Sequence, residues 1–342
     1  MHRPLRLTID RSAIQSNWQW LTGHAGVPAG AAVKADAYGL GAREATEVLL
    51  EAGCRDFFVS SWSEAEMLGE LPEVAGLVVL HGVGPDDSDA ALHIRARPCL
   101  NSAEQIARWK AIAPGRPCDV MMDTGINRLG LRPTDIAILE GLRINTLHSH
   151  LASADEDSQL NPMQLERFKA VASAVPAERY ALANSAGICL GRSYSFDLVR
   201  PGLSLYGGIP RAEAEGHIRQ VARIAAQIVQ RRTIPQGESC GYGATFIARE
   251  DTEVAILNIG YADGYLRGFS SRGSAFSGEF ALPVIGRVSM DLLAVGVDLA
   301  PGLKEGDWVE LDFGLPSASR QSSLSQYELL TTLGSRFERQ WI

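Results

Sequence analysis

The sequence predicts an α/β chain, a (β/α)8 TIM-type barrel followed by a mostly β C-terminal domain. Three observations predict it. A length of 342 residues suits a barrel plus an addition. Short apolar runs alternate with amphipathic stretches from about residue 30 to residue 206. After about residue 217 the texture changes to alternating, β-branched runs cut by Gly and Pro turns. The domains are therefore drawn at 11–216 for the barrel and 217–342, with 1–10, for the β domain.

The opening run Leu5–Ile9 precedes the first barrel strand and is expected to pair with the β domain. Eight apolar runs follow: Gly30–Lys34, Phe57–Ser60, Leu77–His81, Pro98–Leu100, Asp119–Met122, Thr146–His150, Arg179–Ala183 and Leu198–Arg200. Helices between them have readable starts. Ser63 with Glu66 forms a capping box, Asn101-Ser102 precedes A-E-Q-I-A-R-W-K, and Asn161-Pro162 precedes M-Q-L-E-R-F-K-A-V. Near-continuous apolar strands, each followed by a helix, imply a parallel sheet covered on both faces, and eight such units close as a barrel. An open doubly wound sheet is the alternative. In the second domain V-A-R-I-A-A-Q-I-V, T-E-V-A-I-L-N-I, F-A-L-P-V-I-G-R-V and D-W-V-E-L read as strands. Pro316–Ser323 reads as a loop before a final helix over Tyr327–Phe337.

Composition narrows the function. With 32 Lys+Arg against 40 Asp+Glu the formal charge is −8, which repels a phosphate backbone and argues against nucleic-acid or anionic-membrane binding. Five scattered cysteines (Cys54, Cys99, Cys118, Cys189, Cys240) read as reduced thiols. No apolar run is long enough to span a bilayer and the start lacks a signal-peptide pattern, so a cytoplasmic protein is expected.

In a parallel barrel the chemistry sits at the carboxyl ends of the strands. Lys34 follows the first run, Arg128 the fifth, His150 ends the sixth, Asn184-Ser185 follows the seventh, and Arg200-Pro201-Gly202 the eighth. Singly, each has a bland reading: a strand-end lysine that snorkels to solvent, a structural histidine, an ordinary helix cap. Structural roles would scatter such residues over both ends, whereas these converge on one mouth. The loops after the seventh and eighth strands are the usual phosphate cradle of such a barrel. A lysine across from that cradle points to a phosphorylated aldehyde held as an imine, that is, pyridoxal phosphate; a sugar-phosphate aldolase would use similar parts. Metal binding is disfavoured, because no H-E-x-x-H is present among the seven histidines.

These residues lie in motifs that occur in order along almost the whole chain: V-K-A-D-A-Y-G, D-T-G-I-N-R-L-G, H-L-A-S-A-D-E, N-S-A-G, V-R-P-G-L-S-L-Y-G, G-Y-G-A-T-F, I-G-Y-A-D-G-Y and G-R-V-S-M-D. The set resembles the fold-type III alanine racemases, dimeric enzymes that use pyridoxal 5'-phosphate. The resemblance implies that Lys34 is the Schiff-base lysine and one catalytic base, with Tyr242 of the other subunit as the second. It implies that Tyr38, Ser185, Gly202, Leu203 and Tyr327 hold the phosphate. His150 would hydrogen-bond Arg200, the partner of the pyridine nitrogen. Arg128, Met290 and Tyr261 would bind the substrate, with Asp291 supporting the Met290 segment. The implied activity is interconversion of L- and D-alanine by a cytoplasmic homodimer, supplying D-alanine for peptidoglycan. The alternative is a broader racemase acting on serine or other small amino acids.

The sequence departs from the family pattern at two positions. Many relatives carry a carbamylated lysine two residues before the aspartate of D-T-G, where this chain has Met121. An alternative acid or a bound anion, chloride being the expectation, must then orient Arg128. Leu40 stands where many relatives have histidine.

Overall fold

The computed structural model describes residues 3–342, in two compact units. One is Ile14–Arg219; the other joins the segment ending at Ala13 to Gln220–Ile342.

In the first unit seven parallel strands lie side by side in chain order: Ala31–Ala32, Asp56–Val59, Gly76–Val79, Arg97–Leu100, Pro117–Met121, Arg143–His148 and Arg179–Ala181. The eighth run, Leu198–Arg200, is too short for a regular ladder, but it is bonded on both sides. Arg200 N donates to Ala183 O at 2.8 Å, and Gly30 N donates to Val199 O at 2.9 Å. Val199 bridges Ala29 in parallel, so the ring closes. The interior is packed rather than open, as expected for this barrel type. Phe58, Val78, Cys99, Met121, Ala181 and Leu198, from six different strands, form one apolar layer. Asp119 lies fully buried among the strands, accepting from Arg97 Nε and His148 Nε2, each at 2.8 Å. Burial opposes its ionisation, yet those two donors hold its carboxyl below the ordinary range.

Two helix starts differ from expectation. The helix after the second strand is Trp62–Leu68, capped by Ser61, whose hydroxyl accepts from Glu64 N at 3.3 Å; Ser63 and Glu66 lie inside it. Overlapping S-x-x-E spacings permit either reading, and burial of Trp62 and Ala65 selects the earlier one. The later helix spans Leu160–Ala174, which places Pro162 in its first turn, where its missing N–H costs nothing. Ser102 caps Ala103–Ile112 as expected. The chain entering and leaving this unit is tied by fully buried Asn17. Its Nδ2 donates to Arg219 O at 2.9 Å and its Oδ1 accepts from Arg219 N at 2.7 Å.

The second unit is built on the 13-residue strand Ala222–Ile234. It pairs with Trp308–Leu311 and, further along, with Thr252–Leu257, and the order Thr252–Leu257, Leu293–Gly296, Phe280–Ile285, Ser274–Ser277, Trp308–Leu311 completes a closed six-stranded ring. Leu5–Ile9 pairs antiparallel with Ala222–Ala226 and parallel with Glu338–Trp341, so the opening run does join the β unit. Two expectations fail here. Leu315–Ser322 is a helix, not a loop: Pro316 sits at its first turn, where proline is favoured. The final helix is Gln326–Thr331, after which the chain turns into the strand Glu338–Trp341.

Candidate active site

Lys34 follows the first barrel strand and opens an unusual turn. Ala35, Asp36, Ala37 and Tyr38 all have left-handed backbone, with φ of 51°, 54°, 51° and 59°. An L-residue there costs about 1–2 kcal/mol, so four in succession mark a segment that its surroundings must enforce. Hydrogen bonds within it include Ala37 N to Val33 O at 2.8 Å and Ala42 N to Asp36 Oδ1 at 2.8 Å. The turn brings Tyr38 into the interior, where its ring lies 5.1 Å from that of Tyr206.

Lys34 and His150 both feel the charges of Arg128 and Arg200. Burial lowers the Lys34 pKa, Arg128 and Arg200 lower it further, and Glu64 opposes them. Burial and the same three cations push His150 down to about 3, so its imidazole is neutral at pH 7. Arg200 is fully buried and drawn down by that burial to about 10, which still leaves it charged. Its Nη2 donates to Ser149 O at 2.6 Å, while its Nη1 is buried with no hydrogen-bond partner. The hydrogen bond expected between His150 and Arg200 does not form among the described residues; Arg200 acts on the imidazole through its charge.

The cradle is built opposite in sequence from two loops. Ser185 Oγ, buried, accepts from Gly202 N at 3.1 Å and Ser204 N at 3.2 Å. Gly202 has no room for a side chain, since a Cβ would run into the Tyr38 hydroxyl, and this places Tyr38, Ser185 and the backbone of Gly202 and Leu203 at one spot. Ser204 Oγ is buried there without a partner. Arg128 lies exposed on the loop shaped by Asp123, whose Oδ1 accepts from the amides of Gly125, Ile126 and Asn127. Among the described residues no carboxylate pairs with Arg128, so no alternative acid replaces the missing lysine, and Met121 lies in the apolar layer instead.

The other predicted site residues belong to the β unit. Tyr242, 68% exposed, sits in a turn between Gly241 and Gly243 and borders a cleft of about 360 Å³ with Arg287, Ser289 and Leu292. Tyr261 and Met290 are held together by backbone: Tyr261 N donates to Ser289 O and Ala262 N to Met290 O, both at 3.0 Å. Gly260 permits that approach, because a Cβ would strike Met290 O. Asp291, next to Met290, accepts from Arg336 Nη1 at 2.7 Å. Arg336 in turn clamps buried Asp263 with bonds of 2.6 and 2.7 Å. Tyr327 lies in the first turn of its helix, half exposed. Sequence reasoning missed Glu64, Asp263 and Arg336. The spacing Ser61-x-x-Glu64 was a usable signal for the first, and none exists for Arg336.

A closed parallel barrel with a half-buried lysine, a cationic mouth and a hydroxyl-and-amide cradle defines an enzyme of the barrel class that grips a small anionic ligand at its strand ends. Two family models match in tandem: Alanine racemase, N-terminal domain, over residues 9–210, and Alanine racemase, C-terminal domain, over residues 221–341. The chain is 39% identical to the catabolic alanine racemase of Agrobacterium fabrum, over 98% of this chain and 92% of that protein. It is 40% identical to the alanine racemase of Acidiphilium cryptum, over 97% of each. Among solved structures, the alanine racemase from Bartonella henselae with covalently bound pyridoxal phosphate superimposes with a TM-score of 0.93 at 35% identity over the whole of both chains. The biosynthetic alanine racemase from Pseudomonas aeruginosa gives 0.91 at 33%, again over both chains in full. This chain belongs to the alanine racemase family.

Proposed function

We propose that this chain is a pyridoxal-phosphate-dependent racemase that interconverts L- and D-alanine, working as a homodimer in the cytoplasm and supplying D-alanine for cell-wall synthesis. The observation that carries the reading is the cradle. Arg200 Nη1 and Ser204 Oγ are buried without partners, and the bare backbone of Gly202 lets the Tyr38 hydroxyl approach where a Cβ would collide with it. Buried polar atoms are mostly paired with protein or ordered water, so two left open at the strand ends offer places for the polar atoms of a ligand. Such a site fits a phosphorylated pyridine: Tyr38, Ser185, Gly202, Leu203 and Tyr327 would hold the phosphate, Arg200 the ring nitrogen, and Lys34 the aldehyde carbon. When bound, pyridoxal phosphate draws electrons from the α-carbon of the amino acid joined to it and so acidifies its α-hydrogen.

The protein's own groups then move the proton. Lys34 Nζ, with its pKa drawn below the ordinary lysine value by burial, Arg128 and Arg200, would take the α-proton on one face. Tyr242 Oη of the partner subunit returns one on the other face, and the reverse reaction exchanges the roles. Arg128, with no carboxylate partner, is available to the substrate carboxylate, and a bound chloride would take the orienting part of the absent carbamate. Tyr261 and Met290 would narrow the pocket. Dimerisation is supported by the exposure of Tyr242 and of Met290, at 68% and 53%. The cytoplasmic assignment is supported by five unpaired cysteines, and no helix of the described residues is long and apolar enough to cross a membrane.

The purified protein should be yellow, and borohydride should fix the cofactor on Lys34 as read by peptide mass. In chloride buffer it should racemise alanine far faster than serine or lysine. A mass adduct at another residue, or no racemisation, would discard the assignment; an unchanged KM in chloride-free buffer would remove the anion.

A further inference from the structure

A glutamate in the third position of a helix ordinarily folds back onto the amide of its own capping residue. Glu64 does something different. Its Oε2 accepts the amide of Ser60, one residue before the cap, at 2.6 Å. Its Oε1 reaches out of the helix and accepts the amide of Ala35 at 2.9 Å. Ala35 directly follows Lys34 and is the first of the four left-handed residues. The bonds Ala37 N to Val33 O, Gly41 N to Asp36 O and Ala42 N to Asp36 Oδ1 shape the turn, which the barrel holds through Val33 N to Phe58 O before it and the packing of Tyr38 at its far end. Glu64 supplies a side-chain anchor from a neighbouring element.

We infer that Glu64 is a positioning residue for Lys34: its two carboxylate oxygens tie the turn after Lys34 to the neighbouring strand end and so fix the direction of the lysine side chain. The inference rests on the reading of Lys34 as the reactive amine. Charge adds to geometry. The groups that bear on Lys34 are Arg128 and Arg200, which drive its proton off, and Glu64, which holds it on; neutral His150 faces the same cations. Neither amide can be satisfied in the same way by a shorter or uncharged side chain, since aspartate cannot span both and a glutamine nitrogen would confront an N–H.

The test compares Glu64→Gln and Glu64→Ala with the unaltered full-length protein. Hydrogen exchange is followed in cofactor-free protein, and kcat is followed against pH in loaded protein. Exchange of the peptide spanning residues 34–40 should quicken by about tenfold or more while the rest of the barrel keeps its rates, which is a loss of about 1.4 kcal/mol of local protection. The acid limb of kcat should move to lower pH by about half a unit, because removing a negative charge lowers the pKa of the nearby lysine. Glu64→Gln keeps the side-chain shape and so covers the case in which Glu64→Ala fails to fold. Unchanged exchange, exchange quickened evenly across the barrel, or an unmoved acid limb would each reduce Glu64 to an ordinary cap and overturn the inference. If Lys34 takes no borohydride adduct in the unaltered protein, the racemase reading fails instead, and the exchange measurement still judges the anchor.

Discussion

The two ends of the barrel treat charge in opposite ways. Toward the amino ends of the strands, arginines meet carboxylates: Arg179 grips Asp56 with bonds of 2.9 and 2.6 Å, and Arg97 meets Asp119 at 2.8 Å. At the carboxyl ends Arg128 and Arg200 lower the pKa of Lys34, and among the described residues none of the three has a carboxylate within ion-pair distance. Paired ions at one end hold the strands in register and need nothing from outside. The basic groups at the other have no ion-pair partner of their own, which suits an anionic ligand. The difference teaches where binding energy is to be found: at the end whose charges the fold leaves unanswered.

Removing Lys34 is the sharpest way to break that contrast. Lys34→Ala should lose racemisation by about 10³-fold or more, while the melting temperature of the cofactor-free protein stays level or rises, because the half-buried amine has no ion-pair partner to lose. A clear fall in melting temperature would mean that the lysine is structural.

At the paired end the effect should fall on stability instead. Asp119→Ala leaves Arg97 without its partner and should cost about 3–5 kcal/mol in urea unfolding. The kcat of the folded fraction should change far less than in Lys34→Ala. Similar losses of activity in the two variants would erase the division between the ends.

The smallest effect is in acid. His148 is held at about 4 and His150 at about 3, by burial first and then by Arg200, against about 6.5 in an unfolded chain. The folded protein declines protons that the unfolded chain accepts. Stability from these sites is therefore complete above pH of about 6.5 and is lost as pH falls through 4 toward 3. His150→Asn should flatten that loss by about 1–3 kcal/mol, measured as unfolding free energy at pH 7 and pH 4.5. An identical slope in the variant would show that His150 is not buried in its neutral form.

Much of this was legible in the sequence, and the exceptions have physical reasons. Apolar runs as long as Phe57–Ser60 or Leu77–His81 can only be buried on both faces, so the barrel could be read from them. Lys34 and Ser185 were readable because strand ends are where a barrel keeps its chemistry. The turn over Ala35–Tyr38 was not: Ala-Asp-Ala-Tyr contains no Gly or Asn to announce positive φ, and the conformation comes from contacts made elsewhere. Leu315–Ser322 was misread because proline and three serines look like a loop, although proline is at home in a first turn. Arg336 joins Asp263 to Asp291 across long stretches of chain, and such a pairing leaves no local pattern.

Asn17 bears on how the chain finds its fold. The β unit is interrupted by about 200 residues of barrel, and closing a loop of that length costs about 5 kcal/mol in chain entropy if it is slack. By bonding to Arg219 through both ends of its amide, Asn17 holds entry and exit together. Leu5–Ile9 and Ala222–Ala226 then meet as the arms of a short hairpin would, and the insertion weighs on the sheet as a few residues rather than as hundreds.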